Sequence, residues 1–392
     1  MARITVGKDG LIALPEGYRQ RYGLVEGQEL VLEPGEDGLT LQFARPDARR
    51  AYIEVTARCN LNCAMCVRQV WRDAPGEMSW ETFQAAIEGL RAFPALRRLT
   101  FGGYGEPLLH PRFPDMLALA AELRVGMTLT TNGLLLDRAM AARLLDAHLD
   151  MVVVSLDTVH LQAYDQARVE RGVERVLDNL RALRELAKQR GRSLPQIGLE
   201  FVAMRSNLEW LSRLPEVAND LGAAFVLVSN LLPHTPEMAD EILYDRDAPL
   251  PLPGGWPVRG GDMVLWGAVK LPRMKWGAWQ RCRFVEERAV VIGWDGGVSP
   301  CYALMHSYPY YIYGRRKEVS RYVLGRVPEQ SLAEIWTSDE YISFRAKVRD
   351  MRFPSCVDCG LACTYAEDNE DCWGNVPSCA DCLWAQDMVR CP

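Results

Sequence analysis

Three cysteines lie within eight residues, in the string Cys59-Asn-Leu-Asn-Cys63-Ala-Met65-Cys66. Thiolates this close on one loop can converge on a single inorganic centre. Structural zinc takes four closed ligands, usually as two separated pairs. Three cysteines without a local fourth leave a coordination position open. Iron–sulfur cubanes normally take four cysteines, so a three-cysteine loop implies an iron free to bind a small molecule. The zinc alternative would use His110 to close the site. After this loop 215 residues pass without a cysteine. The remaining nine (Cys282, Cys301, Cys356, Cys359, Cys363, Cys372, Cys379, Cys382 and Cys391) fall in the last 111 residues. A chain of 392 residues needs no disulfide staples to fold, and a reducing cytosol would not keep them. The distribution implies two metal regions with a cysteine-free body between them.

That body must place the loop. From about residue 50 to 230, apolar strand-like runs (AYIEVT, RRLTFGG, GMTLTTNG, MVVVSLD, IGLEFVAM, AAFVLVS) alternate with helical patterns such as ETFQAAIEGLRAF. Six βα repeats imply a parallel sheet with right-handed crossovers, whose chemistry sits at the carboxyl ends of the strands. Every motif falls there. The cysteine loop follows the first strand and Gly102-Gly103-Tyr104-Gly105-Glu106-Pro107 the second. Thr131-Asn132-Gly133 ends the third, and Ser155-Leu-Asp157 the fourth. Arg168 and Arg171 come next, with Asn207 and Asn230 after the fifth and sixth strands. Alone, each of these reads equally as a cap, turn or solvated helix face.

Composition bounds the rest. Hydrophobic residues at 48% and charged residues at 24% are globular values. No apolar run is long enough to span a bilayer, and MARITVGKDG lacks the apolar core of a signal peptide, so a cytoplasmic location is expected. Residues 1–46 read as short strands broken by Gly/Asp turns, with one helix between Pro15 and Gly23. Over residues 1–45, five basic residues (Arg3, Lys8, Arg19, Arg21, Arg45) face seven acidic ones, a poor balance for neutralising DNA phosphates. Residues 233–280, rich in Pro, Gly and Trp (Trp256, Trp266, Trp276, Trp279), read as a bridging segment in which the tryptophans pack. The stretch Tyr308-Pro-Tyr310-Tyr311-Ile-Tyr313 reads as buried packing in preference to a docking surface.

The Cys-x3-Cys-x2-Cys loop after the first strand resembles the signature of the radical S-adenosylmethionine (SAM) superfamily. That resemblance implies an α/β fold, a partial (β/α)6 TIM-type barrel over residues 47–232. It also implies a 4Fe–4S cluster on Cys59, Cys63 and Cys66, with SAM chelating the open iron. One electron then cleaves SAM to methionine and a 5′-deoxyadenosyl radical that abstracts a substrate hydrogen. Met65 stands where the family usually has an aromatic near the adenine. Gly103, Gly105 and Glu106 match the family's Gly-Gly-Glu-Pro element, in which a carboxylate meets the SAM ammonium group. Asn132, Ser155, Asp157 and Arg168 are the further SAM contacts the resemblance implies.

Residues 281–392 are similar to the SPASM extension of that superfamily, which carries auxiliary 4Fe–4S clusters. Cys282-x13-Gly296-x4-Cys301 fits its pattern, while Cys356-x2-Cys359-x3-Cys363, Cys372, Cys379-x2-Cys382 and Cys391 depart from it. Nine cysteines fit two four-cysteine clusters with one left over, in no assignable pairing. A zinc ribbon on Cys356/Cys359 and Cys379/Cys382 is the alternative. Residues 1–46 look like an AbrB/SpoVT-type swapped-hairpin module, with dimerisation or partner docking, in preference to DNA binding, the implied use. With Ser229-Asn-Leu-Leu-Pro-His234-Thr and Phe201-Val-Ala-Met-Arg-Ser-Asn207, the arrangement resembles the radical SAM proteins associated with tungsten-containing aldehyde ferredoxin oxidoreductases, called cofactor-modifying proteins. The implied function is maturation of a tungstopterin oxidoreductase, acting on its pterin cofactor or a residue. A ferredoxin or flavodoxin would be the electron donor. The alternatives are a SPASM peptide-modifying enzyme forming thioether or C–C links and, from another class, a zinc-binding AbrB-like transcription factor.

Overall fold

The computed structural model describes residues 4–35, 38–156, 166–245, 269–274, 277, 280–312, 315–356, 359 and 369–391. Near the N-terminus, Val6 and Ile12 form an isolated antiparallel bridge. Helix α1 (Glu16–Tyr22) follows Pro15 and stops at Gly23, whose left-handed φ of 59° lets its N–H turn back onto the carbonyls of Arg19 and Gln20. Strands β1 (Leu30–Gly35) and β2 (Gly38–Phe43) pair as a hairpin. This module leaves Val6, Leu11, Ile12, Val25, Leu32 and Leu39 exposed.

The barrel portion follows in the expected order. It runs β3 (Arg50–Ile53), α2 (Trp80–Leu90), β4 (Arg98–Phe101), α3 (Phe113–Ala121), β5 (Gly126–Thr131), α4 (Arg138–Asp146) and β6 (Met151–Ser155). It continues with α5 (Gln166–Gln189), β7 (Gln196–Ala203), α6 (Leu214–Leu221) and β8 (Phe225–Asn230). Strands β3 to β8 are parallel neighbours in sequence order, as right-handed βα crossovers require. Local chemistry starts the helices. Ser79 Oγ accepts from Thr82 N–H (3.1 Å) at α2, and Asp137 Oδ1 accepts from Met140 N–H (2.8 Å) at α4. Helix α2 buries Phe83, Ala86, Ile87 and Leu90, one stripe at helical spacing, against the sheet. Val152, Val153 and Val154 of β6 are fully buried, as strands covered on both faces must be.

The sheet does not end with the six expected strands. After the short helix α7 (Pro236–Ala239), β9 (Val269–Lys270) adds to β8 in parallel. Beyond α8 (Arg283–Glu286), β10 (Ala289–Ile292) pairs in parallel with β3, and β11 (Gly297–Ser299) pairs with β10. Strands β12 (Tyr308–Ile312) and β13 (Arg315–Val319) form a separate hairpin. Strand β14 (Gly325–Arg326) completes the ten-stranded sheet on the β11 edge. Helices α9 (Leu332–Thr337) and α10 (Asp339–Arg349) cover that end. Trp336, fully buried, packs edge-on against Phe93 and Tyr341, with Arg345 4.0 Å above its ring. The C-terminal region is therefore fused to the barrel through main-chain pairing. Tyr308 and Tyr310 are buried, in line with the packing reading. Trp256, Trp266, Trp276, Trp279 and Tyr313 lie outside the described residues. No helix among the described residues is long and apolar enough to cross a membrane.

Candidate functional site

All six barrel strands end at one cavity of about 270 Å³. Its wall takes Cys59, Cys63, Met65, Cys66 and Arg68 from the loop after β3, and Gly103 to Glu106 from the loop after β4. The ends of β5 to β8 supply Thr131, Asn132, Ser155, Glu200, Ser229 and Asn230. Tyr302, Trp384, Arg390 and Cys391 of the C-terminal region close it.

The cysteine loop is held by its own polar groups. Arg68 Nη2 donates to Leu61 O (2.8 Å) across the loop, and Cys66 N–H to Cys63 O (3.0 Å). Leu61 N–H approaches Cys59 Sγ at 3.4 Å, and Asn132 Nδ2 approaches it at 3.7 Å while donating to Asn60 Oδ1 (2.8 Å). Burial raises the Cys59 thiol pKa, opposed by the Leu61 N–H and the Arg68 charge. Among the described residues no three His, Cys, Asp or Glu side chains close on a single ion. Three half-buried thiols around a cavity, with N–H donors aimed at one sulfur, are a donor set that fits a cubane cluster. His110 is no ligand: its Nε2 meets Met78 O at 3.1 Å and its Nδ1 accepts from Arg112 N–H.

The glycines after β4 answer to sterics. A Cβ on Gly105 would stand 2.0 Å from Thr56 O, and one on Gly103 (φ +109°) 2.7 Å from the Glu54 side chain. The backbone they bring close is the chain's own, where this loop crosses the end of β3. Glu106, 1% exposed, is pinned by three donors: Thr131 Oγ1 (2.7 Å) and Leu108 N–H (3.0 Å) on Oε1, and Asn132 N–H (2.7 Å) on Oε2. Burial raises its pKa and those donors hold it back. A carboxylate has about four acceptor positions, so one remains for a further donor on this cavity-lining residue.

Not every expected residue comes together here. Asp157 and Cys363 lie outside the described residues, and the side chains of Arg168 and Arg171 on α5 are likewise undescribed. Asn207 is spent on structure, accepting from Met204 N–H (2.7 Å) and donating to Val202 O (2.8 Å). Asn230 does line the cavity: its Nδ2 donates to Arg273 O, and its Oδ1 is buried without a hydrogen-bond partner.

The sequence reading missed a buried polar core beneath the site. Glu54, 0% exposed, leaves the end of β3, accepts from Tyr104 N–H (3.0 Å) and meets His306 Nε2 at 2.9 Å. On its other side His306 Nδ1 stands 3.4 Å from Asp73 Oδ2, and Trp71 stacks on the ring at 3.7 Å. Burial alone would depress the His306 pKa, but the two carboxylates raise it to about 9. This cation ties the cysteine loop, the glycine loop and the C-terminal region together. An acidic residue inside the apolar run AYIEVT was the one signal for it.

Below Tyr302 lies a second thiol group. Cys301 and Cys379 are buried, Cys282 and Cys382 half-buried, and the four lie within reach of one another's charge. Burial first, then neighbouring thiolates of this set, raise the pKa values of Cys282, Cys301 and Cys379. Burial raises that of Cys382 as well, opposed by the Ala385 and Trp384 N–H groups and by Lys317, which is ion-paired with Asp381. Cys372 is exposed, and Cys356 and Cys359 lie apart in sequence before it.

With this geometry in hand, comparison with known proteins is direct. Residues 53–193 match the model of the radical SAM superfamily, and residues 282–360 match an iron–sulfur cluster-binding domain, SPASM. The tungsten-containing aldehyde ferredoxin oxidoreductase cofactor-modifying protein of Pyrococcus furiosus is 38% identical over 346 residues, covering 87% of this chain and 96% of that one. The PqqA peptide cyclase of Granulibacter bethesdensis is 30% identical over 199 residues, half of each chain. Among solved structures, Streptococcus suis SuiB bound to S-adenosylmethionine superposes with a TM-score of 0.53 at 15% identity, over 80% of this chain and 71% of that one, a likeness of fold.

Proposed function

The chain belongs to the radical SAM superfamily, in its SPASM-bearing branch, and from that premise we propose that it matures a tungsten-containing aldehyde ferredoxin oxidoreductase. It is a radical SAM enzyme that uses a 4Fe–4S cluster with SAM and further iron–sulfur clusters. When bound, the first cluster supplies the electron that splits SAM into methionine and the 5′-deoxyadenosyl radical. The observation carrying the maturation reading is near full-length similarity to a cofactor-modifying relative, joined to a cavity walled by the cysteine loop, all six strand ends and the C-terminal region. The target is the pterin cofactor or a residue of the oxidoreductase.

In this reading Cys59, Cys63 and Cys66 hold the SAM-binding cluster, and Glu106 accepts from the SAM ammonium group at its open position. Asn132, Ser155 and Met65 line the SAM end, with Asp157 and Arg168 as further contacts from the fourth βα unit. Cys282, Cys301, Cys379 and Cys382 form one auxiliary site, leaving Cys356, Cys359, Cys363 and Cys372 for the other. Electrons come from a ferredoxin or flavodoxin in the cytoplasm. The exposed apolar residues of the AbrB-like module, Leu32 and Leu39 among them, support a homodimer.

The test is co-expression of a tungsten oxidoreductase with and without this chain. Loss of aldehyde oxidation together with a mass change in the pterin or the polypeptide supports maturation. An identical oxidoreductase in both cultures refutes it. A peptide-modifying reading ranks second, since the peptide cyclase relative covers half of the chain.

A further inference from the structure

In the reading above, eight of the nine C-terminal cysteines are assigned to two four-cysteine sites, which leaves Cys391, within electrostatic reach of Cys382. Cys391 is on the wall of the same cavity as Cys59, Cys63 and Cys66. It is held there firmly. Trp384 Nε1–H donates to its Sγ at 3.2 Å. The segment before it is stitched to the carboxyl end of β8, with Arg390 N–H on Ser229 Oγ (2.9 Å) and Asn230 N–H on Met388 O (2.9 Å). Arg390 Nε donates to Asp387 Oδ1 at 3.0 Å, which fixes the turn. This end of the cavity is also built for a ligand. Asn230, 1% exposed, lines it and keeps a buried Oδ1 with no partner, an acceptor that a bound molecule would satisfy. Glu200 lines the same end. The cavity thus has a SAM pole on the β3–β6 loops and a second pole formed by Asn230, Glu200 and Cys391.

We propose that Cys391 is a catalytic residue, the hydrogen-atom donor that returns the substrate radical to a closed shell at the second pole of the cavity. The proposal rests on the radical reading above and deepens it. The 5′-deoxyadenosyl radical breaks a substrate C–H bond and forms a C–H bond of 5′-deoxyadenosine. The substrate radical, once rearranged, takes the hydrogen from Cys391 Sγ–H; a product C–H bond forms and the unpaired electron moves to sulfur. One electron from a low-potential iron–sulfur or flavin donor and one proton from water restore the thiol. One SAM is consumed per turnover, and the substrate leaves rearranged at its original oxidation level. An S–H bond is weaker than an aliphatic C–H bond, so the transfer runs downhill.

The direct probe is SAM with dithionite in D2O, using the anaerobically reconstituted full chain and no other substrate. The thiol exchanges its proton for deuterium, and with no substrate between the two poles the 5′-deoxyadenosyl radical breaks the Cys391 S–D bond itself, so wild-type protein yields 5′-deoxyadenosine carrying one deuterium. In Cys391→Ser the size and an exchangeable proton are kept, but an O–H bond is too strong for a carbon radical to break. The deuterated fraction of the 5′-deoxyadenosine formed should fall by about an order of magnitude in Cys391→Ser and Cys391→Ala. Iron should stay at about twelve atoms per chain. An undiminished deuterated fraction in both variants overturns the proposal. So does a fall to about eight iron atoms per chain, which would make Cys391 a cluster ligand. Wild-type protein that forms no 5′-deoxyadenosine at all would instead sink the radical reading beneath it.

Discussion

Glu54 and His306 form a buried ion pair beneath the site, in which neither partner has water to fall back on. Removing one partner of such a pair costs about 3–5 kcal/mol, since the other charge stays buried and uncompensated. His306→Ala should therefore destabilise the protein by that amount in chemical denaturation, and it should loosen the Tyr104 loop that Glu54 holds. The pH dependence has a defined sign. The His306 pKa is raised to about 9 by Glu54 and Asp73, while an unfolded histidine titrates near ~6.5. The stabilisation is present in full below ~6.5 and is lost as the pH rises through about 9. Thermal melts of the wild type should fall along that alkaline limb, and His306→Ala should lack it. A pH-independent wild-type melting point between 7 and about 10 would contradict the assignment.

At the level of elements, the βα alternation and the strand-end loops that line the cavity were legible in the sequence because a parallel sheet fixes both, whereas Asn207 serves its own turn and Asp157 lies outside the described residues. Apolar runs specify strands, and the crossover rule then brings their carboxyl ends to one side. The glycines after β4 were legible as a close approach, but not what they approach. Gly105→Ala drives a methyl onto Thr56 O, so the loop must lift off β3 and carry Glu106 with it. Isothermal titration should then show SAM affinity reduced at least about tenfold, or 1.4 kcal/mol. Unchanged affinity would mean that the loop does not shape the SAM end. The pairing of C-terminal cysteines was illegible, since it depends on how residues 369–391 return to the barrel and no local period encodes that path. Cys379→Ala and Cys301→Ala should each lower iron by about four atoms per chain and perturb the same electron paramagnetic resonance signal. Separate signals would break the four-cysteine set.

For the whole molecule, the C-terminal region is part of the barrel's construction. Strand β10 lies on β3, and Tyr302, Trp384 and Cys391 roof the cavity that β3 to β8 open. Sequence patterns separate these regions because the cysteine-free body stands between them; the ten-stranded sheet joins them through pairings with no sequence signature. The N-terminal module is attached more lightly, with Arg349 Nη2 on Gln42 Oε1 (3.2 Å) among its contacts. Deleting residues 1–46 should convert a dimer to a monomer in light scattering while SAM cleavage persists; an unchanged mass would remove dimerisation from the module. The central claim is that Cys59, Cys63 and Cys66 hold a redox-active, SAM-cleaving cluster. Anaerobically reconstituted protein should contain about twelve iron atoms per chain and form 5′-deoxyadenosine from SAM and dithionite, while the variant with all three changed to Ala should form none. Protein that carries zinc alone and leaves SAM intact, or a triple variant that still cleaves it, would contradict the account.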